Sequence, residues 1–326
     1  MIISRSPLRI SLGGGGTDLE SYYSKKGGYL VAGAIDKFVF TGIHRTFMKE
    51  IILKYSSYER TKSLQKIDHP IIREALIKYA PKVNNLEITS FADIPAGTGL
   101  GSSSSFTTAL INGLMHMELE RVDCDELAER ACEIEIDILK EPIGKQDQYI
   151  AAWGGIREFF FDKDGTVTNK LIYSSLDDYV DLRNNLLLVF TGSTRKASKI
   201  LKDQKDKSEK DDSEMIKNLD KVKSMGKEFA GFLKKKDFVS YGKLMNEHWQ
   251  IKKERSKSMS SSEIDELYNF GIRNGSNGGK IIGAGGGGFI LFQSDAPTKL
   301  KQKFEEINIK VVDFNFVPTG TEIINI

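Results

Sequence analysis

Apolar positions alternate with small or polar ones over residues 6–12, 29–43 and 86–91, which predicts strands, whereas residues 71–79 repeat at helical spacing. Two strong helices are predicted next, over 104–119 and 123–139. The second carries Leu127, Ala131, Ile134 and Ile138 on one stripe, and Pro142 and Gly144 stop it. Residues 156–173, with Asp164-Gly165 at their centre, read as a hairpin that closes a first domain near residue 180. A buried strand over 185–190 opens the second half. Residues 202–214 mix both charges with no apolar face, so a solvated, mobile loop or helix extension is expected there. Helical segments follow over 216–235, 237–255 and 262–274, then a glycine-rich strand region over 278–293, then a closing helix and strand. The order suits an α+β protein of two domains, 1–180 and 181–326.

Composition narrows this picture only in part. At 326 residues the chain exceeds the size at which one core usually stops growing, and 40% hydrophobic with 28% charged residues is ordinary for a globular protein. A net charge of +2 gives no reason to expect nucleic acid or an anionic membrane as a partner. Cys124 and Cys132 are eight residues apart in one predicted helix, so both are read as reduced thiols. The four histidines, His44, His69, His116 and His248, lack metal-ligand spacing and are expected to be structural. The first residues lack the apolar core of a signal peptide, and no run approaches a membrane span, so a cytoplasmic location is expected. No oligomeric state is implied.

Three small-residue segments carry the candidate chemistry. Pro95-Ala-Gly97-Thr98-Gly99-Leu100-Gly101 follows a strand, and Ser102, Ser103, Ser104 and Ser105 precede an apolar helix. Glycines admit a polyanion close to the backbone, and a helix start offers free N–H groups, so this is a phosphate cradle rather than a linker. It is not a Walker A loop, because no Gly-Lys-Ser/Thr follows at the required spacing. A second run, Gly283 to Gly288, formally matches G-x-G-x-x-G. It leads into the strand-like Phe289-Ile-Leu-Phe292, so a strand–turn–strand hairpin walling a ligand site is the better reading than a dinucleotide fold. A third run, Gly13 to Gly16, ends a strand and presents Thr17 and Asp18. Asp18 suits either a helix cap or a ligand for sugar hydroxyls, and Arg9 on the preceding strand points toward the same floor.

Glu135 lies at the edge of an apolar helical stripe, and Asp147 follows the breaker Pro142-Ile-Gly144-Lys145-Gln146. Carboxylates so placed could hold magnesium and accept a proton, or could be an exposed helix charge and a helix cap, respectively.

In this order the segments resemble the GHMP superfamily of galactokinase, homoserine kinase, mevalonate kinase and phosphomevalonate kinase. The shared motif Pro-x3-Gly-Leu-Gly-Ser-Ser runs intact from Pro95 to Ser103, and the resemblance spans residues 5–292. It implies an N-terminal domain like domain 2 of ribosomal protein S5 and a ferredoxin-like C-terminal domain. It implies that Pro95 and Gly97 to Ser104 wrap the phosphates of ATP, that Ser103 and Glu135 bind Mg2+, and that Asp147 is the catalytic carboxylate, assisted by Arg9. Substrate contacts are expected from Gly15, Gly16, Thr17, Asp18, Gly144, Lys145, Gln146, Gly285 and Gly286. The galactokinase Gly-Glu-His-Thr-Asp signature is replaced here by Gly14-Gly-Gly-Thr-Asp18, which argues against galactose. The variant motifs are most similar to the D-glycero-D-manno-heptose 7-phosphate kinase branch, which implies phosphorylation of the anomeric C1 hydroxyl for nucleotide-activated heptose and surface glycan synthesis.

A small-molecule phosphorylated sugar is thus the expected partner. Its distal phosphate needs cations, for which Lys145, Arg195 and Lys196 are candidates, the last two from a polar turn before a helix. The competing readings are a kinase for a neutral sugar such as L-fucose, and an inactive ATP- or sugar-binding sensor. Retention of Ser103, Glu135 and Asp147 together argues against the sensor.

Overall fold

The computed structural model describes residues 1–194, 198–209, 212–256 and 258–324. The chain runs β1 (Ile2–Gly13), α1 (Glu20–Lys26), β2 (Gly28–His44), β3 (Ile51–Lys54), β4 (Tyr58–Thr61), α2 (Pro70–Tyr79), β5 (Leu86–Ala92), α3 (Ser102–Met117) and α4 (Cys124–Cys132). After a π-helical turn over Glu133–Ile138 come α5 (Gln146–Trp153), β6 (Ile156–Phe161), β7 (Val167–Leu171), α6 (Leu176–Arg183), β8 (Leu186–Phe190) and α7 (Ser198–Glu209). The remainder is α8 (Ser213–Lys234), α9 (Phe238–Lys253), α10 (Ser262–Arg273), β9 (Gly278–Ile281), β10 (Phe289–Gln293), α11 (Pro297–Glu306), β11 (Val311–Val312) and β12 (Glu322–Ile324).

Two sheets organise these elements. The first has the order β12-β1-β2-β5-β3-β4, with β6 and β7 extending from the other stretch of the long strand β2. The second is β11-β8-β10-β9, antiparallel at every pair. β12 places the end of the chain beside its beginning, with Ile3 opposite Ile324. Residues 278–293 form the expected hairpin, Ile281 opposite Ile290.

The apolar stripes explain the packing. Leu110, Ile111 and Leu114 of α3 are fully buried with Leu8, Ile10 and Ile35 of β1 and β2. The same core continues through Phe229 of α8 into Ile282, Phe289 and Leu291, so the two sheets share apolar contacts. A Cβ on Gly13 would meet Phe229 Cδ2 at 2.4 Å, which explains why only glycine fits where β1 passes α8.

Two expectations are corrected. Residues 123–139 are not one α-helix: the π turn rotates the stripe, so Ile134 and Glu135 are buried while Ile138 is 40% exposed. Residues 202–209 belong to the packed helix α7, which is the helix extension of the two readings given; the solvated loop is overturned, because Gln204 and Ser208 are buried through polar contacts. Ser208 Oγ lies 2.6 Å from Ser21 Oγ, and Gln204 Nε2 donates to the Gly16 carbonyl at 3.3 Å. Cys124 and Cys132 are free, as expected.

Because Phe229 touches both the glycine end of β1 and the core of the second half, Phe229→Ala should lower unfolding stability by about 3–5 kcal/mol. Urea unfolding followed by circular dichroism measures this, and a loss under about 1 kcal/mol would show that the neighbours close the gap.

Candidate active site

The site forms where β1, the starts of α3 and α5, and the β9–β10 turn meet. Gly97, Gly99 and Gly101 have φ values of 80°, 83° and 80°, a left-handed conformation that side chains resist, so the loop turns sharply into α3. No side chain caps α3, which leaves its first N–H groups open to an anion. The loop is held from outside by the β9–β10 turn. A Cβ on Gly283 would lie 2.5 Å from the Gly99 carbonyl oxygen, and one on Gly288 would lie 2.1 Å from that of Thr98.

Arg9 ties this loop to the carboxylate. Its Nε donates to Asp147 Oδ1 at 2.7 Å and its Nη2 to Oδ2 at 2.6 Å, a two-pronged, charge-assisted pair. Its Nη1 donates to the Gly99 carbonyl at 2.5 Å, and its backbone N–H to that of Leu100 at 3.0 Å. Arg9 is 5% exposed, whereas the Asp147 side chain keeps 24% of its surface open toward the cleft. Asp147 sits in the first turn of α5, behind the cap position Lys145, so it is not itself the cap.

The floor is fixed by Asp18. Its carboxylate accepts from the backbone N–H of Gly16 at 3.0 Å and of Gln146 at 3.1 Å, and it does not cap α1, whose cap position is Leu19. Burial raises the Asp18 pKa, and the charge of Asp147 adds to the rise. Gly144 is required here, since a Cβ would meet Asp18 Oδ2 at 2.1 Å. Gln146 completes the frame, accepting from Ser11 Oγ at 2.8 Å and donating to Asp147 Oδ1 at 2.9 Å.

Glu135 lies behind the start of α3, 1% exposed. Burial pushes its pKa up to about 7, opposed by a 2.8 Å hydrogen bond from Gln148 Nε2 and by the hydroxyls of Ser104 and Ser103. Ser102 Oγ, Ser104 Oγ and Gln148 Oε1 are buried with no hydrogen-bond partner. No group of three or more His, Cys, Asp or Glu side chains gathers among the described residues. Unpaired oxygens beside a buried carboxylate at a phosphate loop nevertheless fit a hard, oxygen-loving cation that completes its shell with phosphate and water.

The cleft brings together Arg9, Gly15, Gly16, Asp18, Gly144, Gln146 and Asp147 from the sequence reading. Other expected residues stand elsewhere. Lys145 turns away, its Nζ donating to Glu129 Oε1 at 2.8 Å and to the Gly165 carbonyl at 3.0 Å. Thr17 is fully buried, its hydroxyl donating to the carbonyls of Gly14 and Tyr29 at 3.0 and 2.8 Å. Gly285 and Gly286 pack on Met259, with the Gly286 N–H donating to its carbonyl at 2.9 Å, and do not line the cleft. Arg195 and Lys196 lie outside the described residues. Ser11, Gln204, His248, Lys252, Arg255 and Lys280 line the cleft unforeseen. The one signal for them was Lys280, a charge set between Gly-Gly and Ile-Ile in a strand.

A glycine loop opening an uncapped helix, held against an arginine–aspartate pair across two α+β layers, defines the phosphotransferase class of GHMP kinases. The chain belongs to that family: models of the GHMP kinases N terminal domain and of the GHMP kinases C terminal match residues 70–155 and 229–310, together just over half of it. It has the family's mixed helix and sheet fold with N- and C-terminal domains. It is 29% identical over 337 residues to D-glycero-alpha-D-manno-heptose 7-phosphate kinase of Campylobacter jejuni, covering 98% of each chain. It is 27% identical over 240 residues to the bifunctional fucokinase/GDP-fucose pyrophosphorylase of Arabidopsis thaliana, 71% of this chain and 22% of that one. In structure it superimposes on a D-glycero-D-manno-heptose 1-phosphate kinase of Bacteroides thetaiotaomicron with a TM-score of 0.82, at 23% identity, covering 100% and 99% of the two chains. No helix among the described residues is long and apolar enough to cross a membrane.

Glu135 generates a pH prediction. Its folded pKa of about 7 exceeds its ordinary value of 4.5, so between these values the unfolded chain has released a proton that the folded one keeps, and stability falls as pH rises through the window. In chelator-treated protein, Glu135→Gln should therefore raise the thermal midpoint at pH 8 and gain little at pH 4.5. The expected advantage is on the order of 3 kcal/mol. A pH-independent effect would mean that Glu135 is not titrating.

Proposed function

We propose that this kinase transfers the γ-phosphoryl group of ATP to the anomeric hydroxyl of a sugar that already carries a phosphate, with D-glycero-D-manno-heptose 7-phosphate as the favoured substrate and the 1,7-bisphosphate as product. The observation that carries this reading is the Arg9–Asp147 pair, anchored to the phosphate loop at Gly99 and opening onto the Gly15–Asp18 floor. The similarity over nearly the whole of the heptose 7-phosphate kinase supports the choice of sugar.

Phosphoryl transfer demands mainly positioning and charge stabilisation. Residues 97–104, with the open N–H groups of α3, would cradle the ATP phosphates. Ser103, Ser104 and Glu135 are the residues that would hold magnesium, which neutralises phosphate charge when bound. Asp147 accepts the proton of the attacking hydroxyl. Arg9, with three of its nitrogens engaged, fixes the direction of that carboxylate and locks it to the loop that carries the donor. Asp18, Gly16 and Gln146 orient the sugar from below. The same reading treats the chain as two domains divided near residue 180 and acting in the cytoplasm, where ATP is supplied.

Asp147→Asn should lower kcat by about 10²-fold or more while the ATP dissociation constant changes little. Near-normal turnover would remove Asp147 from the chemistry. For the substrate, steady-state rates with heptose 7-phosphate, the unphosphorylated heptose and L-fucose, with product positions read by phosphorus NMR, should favour the first by about 10²-fold in kcat/KM. Faster turnover of L-fucose would instead make this a neutral-sugar kinase.

A further inference from the structure

The far wall of the cleft carries a concentration of basic side chains that the transfer step does not use, three of them cationic groups and the fourth, His248, kept neutral by burial. His248 and Lys252 project from α9, Arg255 from the turn that follows, and Lys280 from β9. All four are at most 8% exposed. The carboxylates among the described lining residues are Asp18 and Asp147. Asp147 is taken by Arg9, and Asp18 by backbone N–H groups.

The wall cations therefore bond only to neutral groups. Lys252 Nζ donates to the carbonyls of Ile281 at 3.2 Å and Gly283 at 2.5 Å. Arg255 donates from Nε to Asn218 Oδ1 at 2.9 Å and from Nη1 to the Gly15 carbonyl at 3.2 Å. Arg255 Nη2 and both ring nitrogens of His248 are buried with no partner at all. Lys280 Nζ lies 5.5 Å from the centre of the Phe229 ring. Asp18 is the one carboxylate that acts on them, through Arg255; burying cations so short of counter-charge costs several kcal/mol per ion, and a fold keeps such a group where a ligand brings the missing negative charge. Burial and the neighbouring charges of Arg255 and Arg9 lower the Lys280 pKa to about 7. Burial likewise holds that of Lys252 well below its ordinary value. An arriving dianion would reverse both effects.

The position separates this anion from ATP. The nucleotide phosphates have the 97–101 loop and the bare start of α3, whereas Arg255 is bonded to the floor at Gly15 and Lys280 lies over Phe229, which packs beneath Gly13. We propose that Arg255, Lys280 and His248, backed by Lys252, form a subsite for the phosphate that the sugar already bears before transfer. This rests on the reading of the enzyme as a sugar-phosphate kinase and assigns to that reading the residues that select the phosphorylated substrate.

The experiment compares kcat/KM for heptose 7-phosphate and for the same heptose without phosphate in the wild type, Lys280→Met, Arg255→Gln and the charge-conserving Arg255→Lys. An ATP-induced rise in thermal midpoint shows which variants are folded. Each neutral variant should reduce the preference for the phosphorylated sugar by about 100-fold, the effect of breaking a buried charge pair, and Arg255→Lys should recover part of it. Preference retained in the folded neutral variants overturns the subsite and leaves the proposed substrate standing. A wild type with no preference overturns the proposed substrate instead, and the subsite is then decided with inorganic phosphate. Phosphate should raise the midpoint of the wild type and not that of Lys280→Met, and equal shifts in both overturn the subsite.

Discussion

The two-pronged bond between Arg9 and Asp147 is the constraint around which the rest of the site is arranged. It requires a strand to present Arg9 at one angle and a helix start to present Asp147 at the matching one, because a guanidinium fork and a carboxylate are both planar. The third contact, to Gly99, makes the phosphate loop part of the same rigid unit. Gln146 and Asp18 extend it to the floor, so that a donor phosphate and an acceptor hydroxyl would meet across one small frame of hydrogen bonds. Such preorganisation suits a reaction whose demands are alignment and charge compensation.

Charge is distributed unevenly around this frame. The side toward the start of α3 carries a buried carboxylate with unpaired oxygens nearby, which suits a cation. The opposite wall carries buried cations without carboxylates, which suits an anion. Each half is short of opposite charge in the free protein, which costs local stability that ligands of opposite sign would restore.

Much of this was legible in the sequence where local chemistry dictates it. The three glycine runs announced positive φ and close approach, and the structure uses them so at Gly14, Gly99 and Gly283. Arg9 and Asp18 stood out beside the run at residues 13–16 and Asp147 after the breaker Pro142-Ile-Gly144, and the structure brings all three to one cleft. The buried wall was not legible, because Lys252 and Arg255 sit near a helix end, where a sequence reads cations as ordinary surface charge. His248 was read as structural because the four histidines lack metal-ligand spacing. The π turn was equally hidden: Glu135 is turned inward and Ile138 outward by the winding of the helix, which apolar spacing alone does not encode. Residues 202–209 left loop and helix extension undecided because their packing is polar, through Gln204 and Ser208, and leaves no hydrophobic stripe to read.

The clasp of the β9–β10 turn on the phosphate loop has a consequence for how the molecule is made. The loop at residues 97–101 leaves the ribosome long before Gly283 and Gly288, against which it is braced, and Ile324 must emerge before β12 can cover the edge of β1 at Ile3. Contacts of such sequence separation close late and slowly. Until those later residues emerge, the nascent first half carries an unbraced glycine loop and an open sheet edge. The 97–101 loop is therefore braced only after residues nearly two hundred positions later have been made.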